Sequence, residues 1–177
     1  MMMMMRLFYA VNFDDIVKKR LSDIQNALRA QATRGNFTLV DNLHLTLAFI
    51  GEVTQDRSGP LRQIAETLKI TPFELKLQGL GRFRRDGGDI LWVGIEENKS
   101  LASIYNKLGG QIAEAGFTVE KRKFTPHLTL IREARLRPEF DLTAFSGQLE
   151  PIVTSISKIS LMKSERSQGR LTYTEIV

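Results

Sequence analysis

Two periodicities organise the chain. Leu7-Phe8-Tyr9-Ala10-Val11 and Ile90-Leu91-Trp92-Val93-Gly94 are short apolar, aromatic-rich runs that predict strands, and they start 83 positions apart. Each leads into a segment with apolar residues at helical spacing: Ile16, Val17, Leu21, Ile24 and Leu28 within residues 14–32, then Leu101, Ile104, Leu108 and Ile112 within residues 100–115. Asp14 and Asp15 are candidates to cap the first helix, since a carboxylate there accepts from backbone N–H groups that lack a helical partner. Gly35 and Gly116 follow the two segments and suit a left-handed helix terminus.

Beyond those glycines the pattern predicts two short strands in each half, over residues 37–40 and 43–50 and over residues 117–120 and 127–131. Helices are expected over 57–69 and 138–145, and strands over 73–79, 151–162 and 171–177. Gly79-Leu80-Gly81 reads as a turn between lobes, and Gly87-Gly88 and residues 164–169 read as mobile loops. The chain thus predicts two diverged copies of a strand-helix-strand-strand unit, about 6–79 and 89–177, within a single unit spanning 1–177. Mixed helices and antiparallel strands place it in the α+β class with two similar lobes.

At 177 residues and 42% hydrophobic, with no long polar tract, the sequence suits one globular unit with a substantial core. Cysteine is absent, which excludes disulfides and thiolate chemistry and fits a reducing compartment. The leading methionines run into Arg6-Leu7-Phe8 without the apolar length or cleavage site of a signal peptide, and no stretch has membrane-spanning length. A cytoplasmic protein without a membrane partner is expected. A net charge of +5 directs attention to polyanionic partners, because lysine and arginine clusters bind phosphates and release counterions.

The sharpest feature is a repeated tetrapeptide, His44-Leu45-Thr46-Leu47 and His127-Leu128-Thr129-Leu130, again 83 positions apart and holding both histidines of the chain. A lone strand histidine is more often a half-exposed structural residue than a functional one. Two in identical contexts at matching places in a repeat favour a site. In a strand the histidine and threonine share one face and the leucines the other, so each copy presents an imidazole beside a hydroxyl. One imidazole can take a proton from water while the other delivers one to a leaving oxygen, with hydroxyls donating to phosphate oxygens between them. Acid–base catalysis of this size suits a strained cyclic phosphodiester, and a 2′-oxygen in the ring points to RNA. Neither motif has a carboxylate at ligand spacing to complete a catalytic zinc site, so no metal is expected. The glycines match neither a P-loop nor a dinucleotide fingerprint, so no nucleotide cofactor is expected.

The paired motifs, the flanks Leu39-Val40-Asp41-Asn42-Leu43 and Lys123-Phe124-Thr125-Pro126, and the stretch from Gly81-Arg82-Phe83 to Leu91-Trp92-Val93-Gly94 resemble the bacterial and archaeal RNA 2′,3′-cyclic phosphodiesterases. These, also called 2′-5′ RNA ligases, belong to the two-histidine phosphoesterase superfamily. The resemblance runs from Arg6 to about Thr174. It implies a bilobal fold with two pseudo-symmetric antiparallel sheets, flanking helices, and a cleft faced by one tetrapeptide from each lobe. It implies hydrolysis of a 2′,3′-cyclic phosphate to a 2′-phosphomonoester, with His44 as proton donor to the 3′-oxygen, His127 as proton acceptor from water, and Thr46 and Thr129 beside them. The repeat makes the histidines nearly equivalent, so sequence alone leaves their individual roles open.

The family further implies that Arg132, five residues after the second histidine, contacts phosphate; the matching Phe49 is either a stacking surface for a base or a core aromatic. Strict alternation turns both away from the histidines, so each requires the strand to end or bulge first. Basic clusters at Arg82, Arg84 and Arg85, at Lys121, Arg122 and Lys123, and at Arg135 and Arg137 are solvated loops singly and an RNA track together. The expected partners are RNA with cyclic phosphate ends or cyclic nucleotides, bound by a monomer. Three functions stay open: the cyclic phosphodiesterase, an ATP-independent reversible 2′-5′ RNA ligase using the same site, and a noncatalytic RNA-end binder.

Overall fold

The computed structural model describes residues 3–120 and 123–177. Two antiparallel sheets face each other with helices on their outer sides. In chain order the elements are β1 (Met4–Asn12), α1 (Asp15–Arg29), β2 (Ala32–Phe37), β3 (His44–Thr54), α2 (Gly59–Thr67), β4 (Phe73–Phe83), β5 (Asp89–Ile95), α3 (Lys99–Glu114), β6 (His127–Leu136), α4 (Leu142–Gly147), β7 (Ile152–Ile156), β8 (Ser160–Ser167) and β9 (Arg170–Glu175). The first sheet has the order β3-β1-β8-β9 and the second β2-β6-β5-β4-β7. Adding 83 positions carries β1 onto β5, α1 onto α3, β3 onto β6, α2 onto α4 and most of β4 onto β8.

The sheets do not coincide with the two halves of the sequence. The first half sends β2 to pair with β6 and β4 to pair with β5, while the second half sends β8 to pair with β1. Each sheet is therefore assembled from both halves of the sequence, and the segment expected as one strand over 151–162 divides so that β7 joins the second sheet and β8 the first.

Local chemistry explains the element ends. Asp14 accepts from the Val17 amide at 2.9 Å and starts α1; Asn98 does the same for α3 through Leu101, and Asp141 for α4 through Ala144. Val17, Leu21 and Leu28 form the buried stripe of α1. Ile16 lies about 100° round the helix from Val17 and is exposed, against the expectation that it packs inward. Buried Gln25 completes the stripe by donating to the carbonyls of Thr38 and Leu130, which fastens α1 to β6. Tyr9, also buried, donates its hydroxyl to Leu61 at 2.7 Å and joins β1 to α2.

Several expected boundaries shift for physical reasons. Gly116 does terminate α3 at φ +90°, whereas α1 ends without a left-handed residue and Gly35 lies inside β2, where a side chain would meet Ile131 at 2.9 Å. Val40 belongs to a short 3-10 turn, Val40–Asn42, rather than a strand. Residues 117–120 form no strand; by the repeat they would border β3 as β2 borders β6, yet among the described residues β3 pairs only with β1. Gly79-Leu80-Gly81 is not a turn between lobes but a bulge inside β4, with Gly79 at φ +78° and the freed Leu80 amide satisfied by the Ser146 hydroxyl at 2.7 Å. Residues 164–169 are the end of β8 and a two-residue hairpin turn, Gln168-Gly169, with both φ values positive as the twist of the flanking strands demands. Gly87-Gly88 is a packed turn: Gly88 lies against the Glu133 backbone, and Arg135 donates to the neighbouring Asp86 carbonyl at 2.7 Å.

Candidate active site

The two tetrapeptides open β3 and β6. In the first, His44 stands opposite Asn12 and Thr46 opposite Ala10 of β1; in the second, His127 stands opposite Gly94 and Thr129 opposite Trp92 of β5. Leu45, Leu47, Leu128 and Leu130 are all buried, so the leucines anchor both strands to the core and leave the polar pairs facing inward to the cleft.

Immediately after each motif the register slips by one. Tyr9 faces Ala48 and Phe8 faces Phe49, leaving Leu47 as the extra residue; Leu91 faces Ile131, leaving Leu130 extra. An inserted residue reverses the alternation, which brings Phe49 to the face of His44 and Thr46, and Arg132 to the face of His127 and Thr129. Phe49 is 51% exposed, which removes the core-aromatic alternative. Arg132 is exposed and lines the same cleft.

Both imidazoles are anchored in one way. Nδ1 of His44 lies 2.7 Å from the Asn42 carbonyl and Nδ1 of His127 lies 2.9 Å from the Thr125 carbonyl, each two residues upstream. A carbonyl only accepts, so Nδ1 carries the hydrogen and Nε2 is left to exchange protons. Nε2 of His44 is 2.8 Å from the Thr46 hydroxyl. That hydroxyl donates to the neutral ring and accepts from the charged one.

Aromatic rings hold each imidazole from the side. Phe8 and Tyr173 lie 5.0 Å from His44, and Phe83 and Trp92 lie 5.0 and 5.9 Å from His127. Burial lowers the pKa of His44 below the usual histidine value; the Asn42 carbonyl opposes this, and the positive charges of Arg132 and Lys18 reinforce it. Buried Asn42 does more, since its side chain donates to Leu171 at 2.7 Å and accepts from the Tyr173 amide at 3.3 Å. It thereby fixes β9 so that Tyr173 covers His44.

Both motifs, Phe49 and Arg132 line a single open cleft of about 650 Å³. Its far wall includes Tyr105 and Phe124, stacked at 3.9 Å and 5°. Of the basic clusters, Arg85 and Lys123 reach this cleft, whereas Arg82 pairs with Asp89 at 3.3 Å. Lys121 and Arg122 lie outside the described residues. Among the described residues no three His, Cys, Asp or Glu side chains converge as metal ligands. No helix there is long and apolar enough to cross a membrane. The sequence reading gave Tyr173 no role and met Asn42 only as part of the flank before the first motif. Asn42 acts through a segment 129 residues away, and Tyr173 sits on β9, which has no counterpart in the repeat and so no second copy to mark it.

Known proteins share this architecture and somewhat under a third of its sequence. An RNA 2′,3′-cyclic phosphodiesterase of Methanothermobacter thermautotrophicus is 30% identical over 98% of this chain and 97% of its own. One from Escherichia coli K12 is 28% identical over 97% and 93%. The crystal structure of E. coli LigT complexed with 3′-AMP superposes with a TM-score of 0.81 at 27% identity, covering 99% of this chain and 97% of that one. The sequence model of the 2′-5′ RNA ligase superfamily matches residues 14–168, which takes in both histidine motifs and the whole of β3 and β6. With fold, motif placement and relatives in agreement over nearly its full length, the chain belongs to the 2′-5′ RNA ligase superfamily.

Proposed function

We propose that the protein is an RNA 2′,3′-cyclic phosphodiesterase that hydrolyses cyclic phosphate ends to 2′-phosphomonoesters by metal-independent acid–base catalysis. The observation that carries this reading is the matched pair of imidazoles, each pinned through Nδ1 to a backbone carbonyl and each beside a threonine on one wall of a shared cleft. The curated relatives named as RNA 2′,3′-cyclic phosphodiesterases support the substrate.

In this mechanism Nε2 of His127 accepts a proton from water as the water oxygen bonds to phosphorus. The bond from phosphorus to the 3′-oxygen breaks, and Nε2 of His44 delivers its proton to that oxygen. Burial and the neighbouring Arg132 make the His44 imidazolium a stronger acid than free histidine, which favours this delivery; the incoming phosphate supplies the negative charge that loads it. As the single Nε2 hydrogen of charged His44 turns from Thr46 to the 3′-oxygen, the Thr46 hydroxyl donates to a non-bridging oxygen, while Thr129 and Arg132 bind the phosphate from the other strand. Phe49 offers its exposed face to the terminal base. With an RNA 5′-hydroxyl in place of water, His127 takes the hydroxyl proton, the 5′-oxygen bonds to phosphorus as the bond to the 3′-oxygen breaks, and the same groups join two ends without ATP; ligation is the activity for which the superfamily is named.

Both motifs come from one chain, so the site needs no second copy, and we place the enzyme as a monomer. The cysteine-free composition fits the reducing cytoplasm, to which we assign it. We also take 6–79 and 89–177 as copies of one duplicated unit, which the common offset of their elements supports.

The test incubates the protein with 2′,3′-cyclic AMP and with RNA ending in a cyclic phosphate, in excess chelator, and separates 2′- from 3′-phosphate products. The 2′-phosphate should form with wild type and drop by at least about 100-fold with His44→Ala and with His127→Ala. No turnover by wild type overturns the hydrolase reading, and activity surviving both substitutions overturns the site.

A further inference from the structure

The inner face of the first sheet carries a second groove, about 590 Å³, that meets the catalytic cleft at His44, Thr46, Phe49, Arg132 and Tyr173 and runs away from it. Its far part is built by strand register. Arg6 of β1 stands opposite Ser164 of β8, and Arg166, two residues on, takes the same face. Leu171 of β9 pairs with Arg166, and Met4 lies two residues from Arg6, so an apolar floor lies beside the two arginines. The other face of β1, with Leu7, Tyr9 and Val11, is wholly buried, which leaves only this side open.

The charges here are available to a ligand. Arg6 lies over the Phe49 ring at 4.7 Å and pairs with Glu52 at 3.6 Å, an exposed ion pair of little strength that a phosphate can replace. Glu165 is engaged by Lys163 at 3.5 Å, while Arg166 has no ion pair among the described residues. Guanidinium groups bind phosphate through two parallel N–H donors. An arginine pair beside an apolar floor, continuous with a site that holds a terminal nucleotide, matches one more unit of an RNA chain: a phosphate followed by a nucleoside.

We propose that this groove is a subsite for the nucleotide 5′ to the cyclic end, with Arg6 and Arg166 on the bridging phosphate and the next base over Met4 and Leu171. The proposal rests on the cyclic phosphodiesterase reading and adds that the enzyme selects RNA ends over mononucleotides.

The experiment compares kcat/KM for 2′,3′-cyclic AMP and for a diadenylate ending in a 2′,3′-cyclic phosphate, in wild type, in Arg166→Ala, and in Arg6→Ala/Arg166→Ala. Wild type should favour the dinucleotide; Arg166→Ala should lower its kcat/KM about tenfold through KM and leave cyclic AMP unchanged, and the double variant should erase the preference. The salt dependence of KM for the dinucleotide should become shallower in step. A parallel arm measures binding of a fluorescent diadenylate with a 3′-phosphate end, which needs no turnover. If wild type turns over neither substrate, the hydrolase reading falls, and binding weakened in Arg166→Ala still supports the subsite. Equal losses on both substrates, or unchanged dinucleotide turnover and binding, overturn it. So does a defect confined to joining onto a 5′-hydroxyl RNA, which would make the groove an acceptor-strand site.

Discussion

His44 holds a proton less readily than a free histidine because burial withholds water from its imidazolium and because Arg132 and Lys18 add positive charge nearby. Arg132 approaches from β6, Lys18 from α1 and the Tyr173 phenol from β9. The Arg132 cation disfavours the charged ring, so removing it must raise the His44 pKa toward the ordinary value near 6.5. Arg132→Gln should therefore move the His44 imidazole titration, followed by NMR of the ring protons, to higher pH. It should also cost about tenfold or more in kcat/KM, since a charge-assisted phosphate contact is lost. A His44 titration that stays in place or moves to lower pH would show that Arg132 does not act on it. This electrostatic link was hidden in the sequence: Arg132 follows the second histidine, yet the ring it influences is the first, on the opposite sheet.

At the level of elements, the parts governed by local pattern were readable. The caps at Asp14 and Gly116, the apolar stripe of α1 and the motif strands follow from residue periodicity. What failed depends on a partner chosen elsewhere in the chain. Residues 117–120 have strand-like composition but do not pair with β3, whose outer edge stays open among the described residues, and Gly79 is a bulge only because β4 must pair with both β5 and β7. Gly81 shows how closely such an element is fitted. A methyl group there would stand 2.3 Å from the Trp92 ring, and Trp92 in turn lies against His127. Gly81→Ala should therefore displace the indole and destabilise the protein by about 1–3 kcal/mol, read as a lower melting temperature. The shift should carry into activity as a fall in kcat. An unchanged melting temperature with full activity would mean that Trp92 is free to move and that its packing does not orient His127.

Across the whole molecule, the exchange of strands between halves decides how the protein can fold. Alone, the first half would keep β1 and β3 but leave β2 and β4 without β6 and β5; the second would keep β5 and β6 but lose the β1 partner of β8. Unpaired strands expose backbone donors and acceptors that are costly to bury and prone to edge association. The 83-residue offset does not mark self-sufficient halves: each of the two sheets draws strands from both halves of the sequence. Fragments 1–84 and 85–177 should each lack a cooperative thermal transition by circular dichroism. Mixed together, they should recover a single transition and some cyclic phosphodiesterase activity, because all strand pairings and both motifs are then present. The cut falls in the turn between β4 and β5, so neither strand is interrupted. A half that melts cooperatively as a monomer would show that its strands re-pair within the copy, and the exchanged sheets would then be a consequence of joining two self-sufficient units rather than a condition for folding.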